Sequence, residues 1–540
     1  MTSLSSSEPE RYSSPEITEV GKGGEVVVVS RLDKKSNAVQ DKYADEVLRF
    51  MEENAADAVP LTEEEEKKLR HKNFTYILAV AIIVTLVLFM DKATIGYTTI
   101  LGIYIDTDVD KGRFNNLNSV FYGGYLLAQW PGHYLLQKLP VGKYMAGTVL
   151  SWAILVGLHA ACNSYASLMV IRFFLGAVEA VAVPAMEMTL GMFLTSRERE
   201  IAQPVFWTAA AMAPVISSFI AFGLLHVHVS IQPWRIFMAV NAGISLLLAI
   251  FVWFFYPDNP AKATHLSTNE KVHLIKKVQE STKSSIEQKV FKKHQAIECL
   301  KDPVSWLFFF QAFTLMLANS MTYQQNQLFV DIGVTTFGSS LVSAAGGGFS
   351  VVLFGVSALL IRRFPGQSGY FSASYLVPCI IVAIGMVTIP WDNKIALLAC
   401  MILLNFKGVT YIVALGWTTS SCSGYTKKLY RNVMFMLAYG VANIISPQLW
   451  NPKDSPRYYP SWIVQIVIAF FLNLVILLTI RIILARRNAK RRAWIAENGT
   501  EGAFGYVINH DDDGREIKEK VDVAMLDLTD YENKYFIYPL

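Results

Sequence analysis

The chain has 540 residues, 53% of them hydrophobic and only 17% charged, with a formal net charge of +4. An average soluble protein carries about 25% charged residues, and here the charges avoid long stretches altogether, which excludes a soluble α/β enzyme. The basic residues gather in loops, so the small positive balance does not point to nucleic acid, and five cysteines without paired or metal-type spacing exclude a disulfide framework.

The first 72 residues are polar, beginning MTSLSSSEPERYSSPE, and lack the basic start and apolar core of a cleaved signal. They are expected to form a disordered cytosolic head. Twelve apolar segments follow, at 74–100, 116–136, 143–161, 165–187, 203–225, 235–256, 304–325, 340–361, 371–390, 395–417, 432–449 and 461–484. Runs of roughly 20 apolar residues match a ~30 Å hydrocarbon layer at 1.5 Å per helical residue. Only helices satisfy their own backbone over such lengths outside a closed barrel. The expected fold is therefore an all-α membrane protein of twelve transmembrane helices in two six-helix bundles. The expected units are the head (1–72), an N-terminal bundle (73–256), a cytosolic linker (257–303), a C-terminal bundle (304–485) and a cytosolic tail (486–540).

Ionisable groups inside such segments are costly, and each is a candidate functional residue. The first segment stops being apolar at Met90 and continues MDKATIGY, so that Asp91 and Lys92 face either a wet cavity or the outer interface. In the second, His133 follows the breaker pair Pro131-Gly132 and is expected to be a packed histidine. The fourth carries RFFLGAVEAVAVP. Arg172 and Glu179 are nearly two turns apart there and share one face, with Gly176 leaving room beside them. A salt bridge through the bundle is one reading. The other gives Arg172 an anionic group to orient and Glu179 a proton to carry.

The linker holds nine lysines. The seventh segment contributes Asn319, Tyr323 and Gln324, amide and hydroxyl groups able to replace a substrate's hydration shell, whereas Gln325 and Asn326 fit a helix end merging into its loop. In the tenth, Lys407 sits near the middle of CMILLNFKGVTYIVALGW, too deep to snorkel. It requires an acid partner, with Asp91 or Glu179 as the candidates, or a water-filled cavity. The aromatic residues along most segments suggest only lipid contact or core.

With the amino terminus inside, cytoplasmic loops hold eighteen basic residues and the opposite loops five. Both termini are thus expected in the cytosol, and the sequons at Asn73 and Asn498 are expected to stay unglycosylated. The two halves repeat a short basic loop broken by Pro and Gly after their second helix, KLPVG at 138–142 and RRFPG at 362–366. Parallel six-helix halves with a site between them describe a secondary transporter. No Walker loop is present, so a gradient rather than ATP must drive it. Buried carboxylates near cations suggest protons. A nutrient sensor that binds without transporting is the rival from another class, and the modest head and tail do not demand it.

RFFLGAVEAVAVP resembles the fourth-helix signature of the anion:cation symporter branch of the major facilitators, and MDKATIG its first-helix motif, with Lys92 and Thr94 where that motif more often has Arg and Asn. SGYTKKLYRN (423–432), ANIISPQLW (442–450) and KDSPRYYPSW (453–462) narrow the resemblance to the fungal allantoate permease family. YQQN, PWDNK and LDLTDYENKYFIYPL are similar to cysteine-carrying members of it. The resemblance implies proton-coupled uptake of a small organic acid or amino acid by alternating access, with cysteine the first candidate and other sulfur compounds or vitamins the alternatives. It implies no enzyme activity, no cofactor and no metal. The partners are the substrate, protons and the lipid bilayer, for a monomer in the plasma membrane or, alternatively, the endoplasmic reticulum. The expected substrate-binding residues are Lys92, Arg172, Lys407, Asn319, Tyr323 and Gln324, and the expected proton-coupling residues are Asp91 and Glu179.

Overall fold

Thr62 opens the first long helix with a capping box: its hydroxyl accepts from the Glu65 amide, and the Glu65 carboxylate accepts from the Thr62 amide at 2.9 Å. Four glutamates, Glu63–Glu66, stabilise the positive end of the helix dipole. The helix therefore starts well before the apolar run. The structure, a computed structural model, describes residues 26–28, 47–54 apart from 48 and 52, 58–282 apart from 228, 292–364, 366–498, 504–510, 516–522 and 528–540. Most of the expected head lies outside the described residues.

Among the described residues, ten helices are long and apolar enough to cross a membrane: α1 (Glu63–Thr98), α3 (Val141–His159), α4 (Tyr165–Phe193), α5 (Val205–Leu224 within a longer helix from Ser196), α6 (Pro233–Phe255), α7 (Pro303–Asp331), α8 (Thr336–Arg363), α9 (Ser368–Thr388), α10 (Lys394–Ser420) and α12 (Tyr459–Asn498). Two more complete the twelve, α2 (Lys111–Lys138) and α11 (Tyr425–Ile445). They are less apolar because they turn asparagines, serines and tyrosines towards the opposite half. Each half has its own apolar core, one around Trp152, Trp234 and Phe237, the other around Trp417, Trp462 and Phe470. The halves meet where α5 packs on α8, α2 on α11 and α1 on the outer part of α7. At Gly347 of α8 a Cβ would lie 2.7 Å from Val215 of α5, so the approach requires glycine.

Among the described residues at least four membrane helices are interrupted, α9 only briefly, at Tyr375 between Ser368–Ser374 and Leu376–Thr388. In α4 the break follows Glu179, and Pro184 explains it, since proline cannot donate to the carbonyl four residues earlier, that of Ala180. In α7 residues 317–320 separate Pro303–Met316 from Met321–Asp331. In α10 Leu404 and Asn405 separate Lys394–Leu403 from Phe406–Ser420, and the Asn405 amide donates to the Ile402 carbonyl at 3.0 Å, competing with the helix.

Beyond the expected end at residue 484, α12 continues to Asn498. A three-stranded sheet lies outside the twelve helices, with β1 (Val26–Val28) parallel to β2 (Phe504–His510) and β2 antiparallel to β3 (Glu516–Asp522). Residues 528–540 fold back onto the carboxy-terminal half. Tyr538 exchanges two hydrogen bonds with Asn488, at 2.9 Å each, and the Pro539 carbonyl accepts from Trp417 Nε1 at 2.8 Å. The Lys427 ammonium, fully buried, lies 2.7 Å from both Glu298 and Asp530. Asp302 accepts from Arg431 at 2.7 Å and from Arg487 and the Tyr531 hydroxyl at 2.9 Å. The expected solvated tail is thus partly a structural element. All five cysteines are unpaired.

Candidate functional site

α4 and α2 cross so closely that a Cβ on Gly176 would fall 1.9 Å from the Phe121 carbonyl oxygen, and one on Gly124 would fall 2.0 Å from that of Phe173. The space expected beside Gly176 is therefore filled by α2. This crossing places Arg172 and Glu179 at the middle of the molecule, 3% and 1% exposed. Neither Glu179 oxygen has a hydrogen-bond partner, and the Arg172 Nε and Nη2 are also unpartnered. The Lys92 ammonium of α1 lies 3.9 Å from Glu179 and within 5.3 and 5.6 Å of the Phe89 and Tyr125 ring centres. Glu179, Asp91, Tyr122 and Tyr323 all lie within electrostatic reach of Arg172.

Asp91 points elsewhere. It accepts a short hydrogen bond from Ser245 of α6, inside the amino-terminal half, and its other oxygen is unpartnered. Among the described residues Lys407 has no acid partner. Its ammonium donates to the Ala318 carbonyl at 2.6 Å, in the break of α7. Pairing of Lys407 with Asp91 or Glu179, a sequence expectation, is not found; Lys92 lies beside Glu179 instead. The broken helix explains the contact, because its first half ends in unpaired carbonyls, the negative end of a dipole that attracts a cation. The Leu317 carbonyl next to it accepts from Ser446 at 2.7 Å and Gln465 at 3.1 Å.

The α7 residues face the other half. Tyr323 shares a short hydrogen bond with the Tyr122 hydroxyl of α2. Asn319 donates to Asn443 at 2.6 Å, and Gln324 donates to Asn115 at 2.5 Å. Asn326 is not a loop residue: it is buried, donates to the Gly96 carbonyl at 3.2 Å and accepts from Ser343 at 2.5 Å. His133 is exposed, with Nδ1 at 2.6 Å from the Gln129 carbonyl. Sequence reasoning named Tyr323 but missed the four tyrosines around it. Tyr122, Tyr125, Tyr323, Tyr411 and Tyr439, from both halves, form a continuous ring cluster with centres 5.9–6.5 Å apart. Hydroxyls on such rings can hold an ammonium or thiol while the faces exclude water.

On the face opposite the chain termini the halves are tied together. Lys111 donates to both Asp331 oxygens, at 3.0 and 2.9 Å. Asn115 donates to the Trp450 carbonyl at 2.8 Å, Ser119 to that of Ile444 at 2.7 Å, and Gln448 to Asn116 at 3.0 Å. These links seal the site from that face.

The family described as the Major Facilitator Superfamily matches residues 81–447. The chain is 45% identical to an uncharacterized transporter of Schizosaccharomyces pombe, over 93% of this chain and 89% of that one. It is 42% identical to the high affinity cysteine transporter of Saccharomyces cerevisiae, over 93% and 96%. To the allantoate permease of the same yeast it is 27% identical, over 93% and 91%. Among solved structures, a D-xylose-proton symporter superposes with a TM-score of 0.57 at 12% identity, over 74% of this chain and 97% of that one. A bacterial homologue of a human lysosomal transporter, in an inward-facing and occupied conformation, gives 0.54 at 13% identity, over 76% and 97%.

Proposed function

The chain belongs to the Major Facilitator Superfamily and is a multi-pass membrane transporter rather than an enzyme, and from that premise we propose that it takes up cysteine, or a closely related small organic acid, together with protons. The 42% identity to a cysteine transporter over nearly the whole chain supports the substrate. The single observation that carries the coupling is Glu179, a buried carboxylate without a hydrogen-bond partner, 3.9 Å from the Lys92 ammonium.

In this reading the substrate carboxylate takes the open edge of Arg172, whose planar guanidinium suits two parallel hydrogen bonds. The substrate ammonium and thiol lie against Tyr323 and the surrounding tyrosines. Ionised Glu179 holds Lys92. Protonation of Glu179 frees Lys92 to attract the anionic end of the substrate, so proton and substrate enter as a pair. Asp91 braces α1 against α6, and Lys407 fixes the break of α7 without touching substrate. Asn319 and Gln324 bridge the halves while the outer side is shut. The distribution of basic loops supports an orientation with the termini in the cytosol and the Lys111–Asp331 seal outside. The protein acts as a monomer in the plasma membrane.

Uptake of labelled cysteine into cells lacking their own cysteine carriers tests both parts. The wild type is expected to accumulate cysteine, and a protonophore to stop it. Glu179→Gln is expected to lose accumulation yet retain exchange of cysteine across the membrane, since exchange needs no net proton movement. Absence of cysteine uptake with protein at the surface sinks the substrate; accumulation by Glu179→Gln sinks the proton role.

A further inference from the structure

Behind the break of α4, on the side away from the site, lies a cavity of about 570 Å³ between α2, α3 and α4. We propose that it binds one anionic phospholipid from the membrane leaflet nearer the chain termini, with an acyl chain along the groove and the phosphate at Lys143.

The groove arises from local sequence. Pro131 interrupts the hydrogen bonding of α2, and Gly132 brings it against α4, where an added Cβ would meet Val181 at 2.4 Å. On the facing wall, a Cβ on Gly147 of α3 would meet nothing within 4 Å. The helices therefore touch at one point and stand apart at the next. Leu135 and Leu139, both exposed, line the groove where it opens sideways from the bundle. That opening faces hydrocarbon in a membrane-spanning protein, so a lipid is the occupant that can reach it.

The walls are almost wholly apolar, and the polarity sits at one end. Lys143, in the first turn of α3, donates to the Trp253 carbonyl at 3.0 Å and lies 4.2 Å from the centre of that ring. One of its three N–H donors is thus used, and the others remain for a phosphate. Lys138, in the last turn of α2, adds a second ammonium at the same end. The Oδ1 of the nearby Asp258 accepts from the Gly142 and Lys143 amides, at 2.9 and 3.2 Å. From Lys143 to Ser151, the far wall, is about 12 Å along the helix, close to the depth of one leaflet's hydrocarbon. Basic pockets between membrane helices bind anionic headgroups, whereas a sterol would leave Lys143 without a counter-charge. Ala177, Val178 and Val181 line the groove on α4. A bound chain therefore braces the segment that carries Glu179, a consequence that rests on the transport reading, although the binding does not.

The test is native mass spectrometry of the purified full chain with phosphatidylserine, phosphatidylcholine of the same acyl chains, or ergosterol. The wild type is expected to retain phosphatidylserine about fivefold better than phosphatidylcholine. Lys143→Gln is expected to remove that preference, and Gly147→Leu, which fills open space, to remove retention of both. Ser151→Leu fills the same groove from another position and serves if Gly147→Leu does not purify. Equal retention of the two phospholipids, preference for ergosterol, or retention unchanged by the filling variants would overturn the proposal. Loss of lipid with cysteine uptake unchanged would overturn only the bracing of α4.

Discussion

Lys407 and Lys92 are two ammonium groups in the same membrane interior, and their surroundings differ. Lys92 lies beside a carboxylate, whereas Lys407 serves a backbone carbonyl that a helix break has released. Lys407→Met is expected to leave the Ala318 carbonyl unpaired and cost about 1–3 kcal/mol of stability. In uptake, its maximal rate is expected to fall with little change in KM, while Lys407→Arg keeps most of the rate. A KM rise in Lys407→Met with the rate preserved would place Lys407 on the substrate instead. Arg172→Lys is expected to raise KM for cysteine about tenfold, since a point charge replaces a planar fork; concentration dependence of uptake measures it. The sequence displayed the depth of Lys407 but not its partner, because an exposed carbonyl leaves no mark in the residue type. Nor did it separate Tyr122, Tyr125, Tyr411 and Tyr439 from lipid-facing aromatics, since that distinction depends on which way each helix is turned.

At the level of elements, the spans were legible because hydrocarbon thickness fixes both length and apolarity. Their ends were less so: the capping box at Thr62 and the break at Pro184 are written locally, whereas the α7 break is held by residues 89 to 148 positions away. Of the glycine crossing of α2 and α4, only Gly176 was singled out in the sequence, and it was read as leaving room. Gly176→Leu is expected to prevent these helices from docking, because the obstruction is the Phe121 backbone rather than a side chain; loss of monodisperse protein on size exclusion checks it. The linker is fastened to the base of α1 by His265, whose ring stacks on Tyr76 with centres 3.9 Å apart. Burial, with Lys72 adding to it, lowers the pKa of His265 from 6.5 to about 4. The unfolded chain thus binds a proton that the folded one refuses, so this contribution is complete above pH 6.5 and declines as pH falls towards 4. Thermal unfolding from pH 7 to pH 4 is expected to show the decline, and His265→Gln to flatten it.

At the scale of the whole molecule, the seal and the docked tail do opposite things. The seal joins the halves and, in the proposed transport cycle, opens each time; the tail ties elements within one half and travels with it. Lys111→Ala is expected to weaken closure and raise labelling of a Tyr439→Cys variant by an impermeant thiol reagent added from the sealed face, with unchanged labelling arguing against the seal. The tail's docking was not legible, because a stretch such as LTDYENKYFIYPL has the composition of a solvated segment until its partners are known. Burial raises the pKa of Asp302, yet Arg431, Arg487 and Lys427 outweigh it and hold the carboxyl below its ordinary range. Residues 528–540 therefore complete a charge cluster rather than decorate it. They also leave the ribosome after every membrane helix has done so. Until they arrive, Lys427 keeps Glu298 and Asp302 keeps Arg431 and Arg487, but without Asp530 and Tyr531 the cluster sets three cations against two carboxylates. A chain cut short of residue 528 would carry a frayed, charged patch on its membrane-flanking face, so this cluster closes only after every membrane helix has been made.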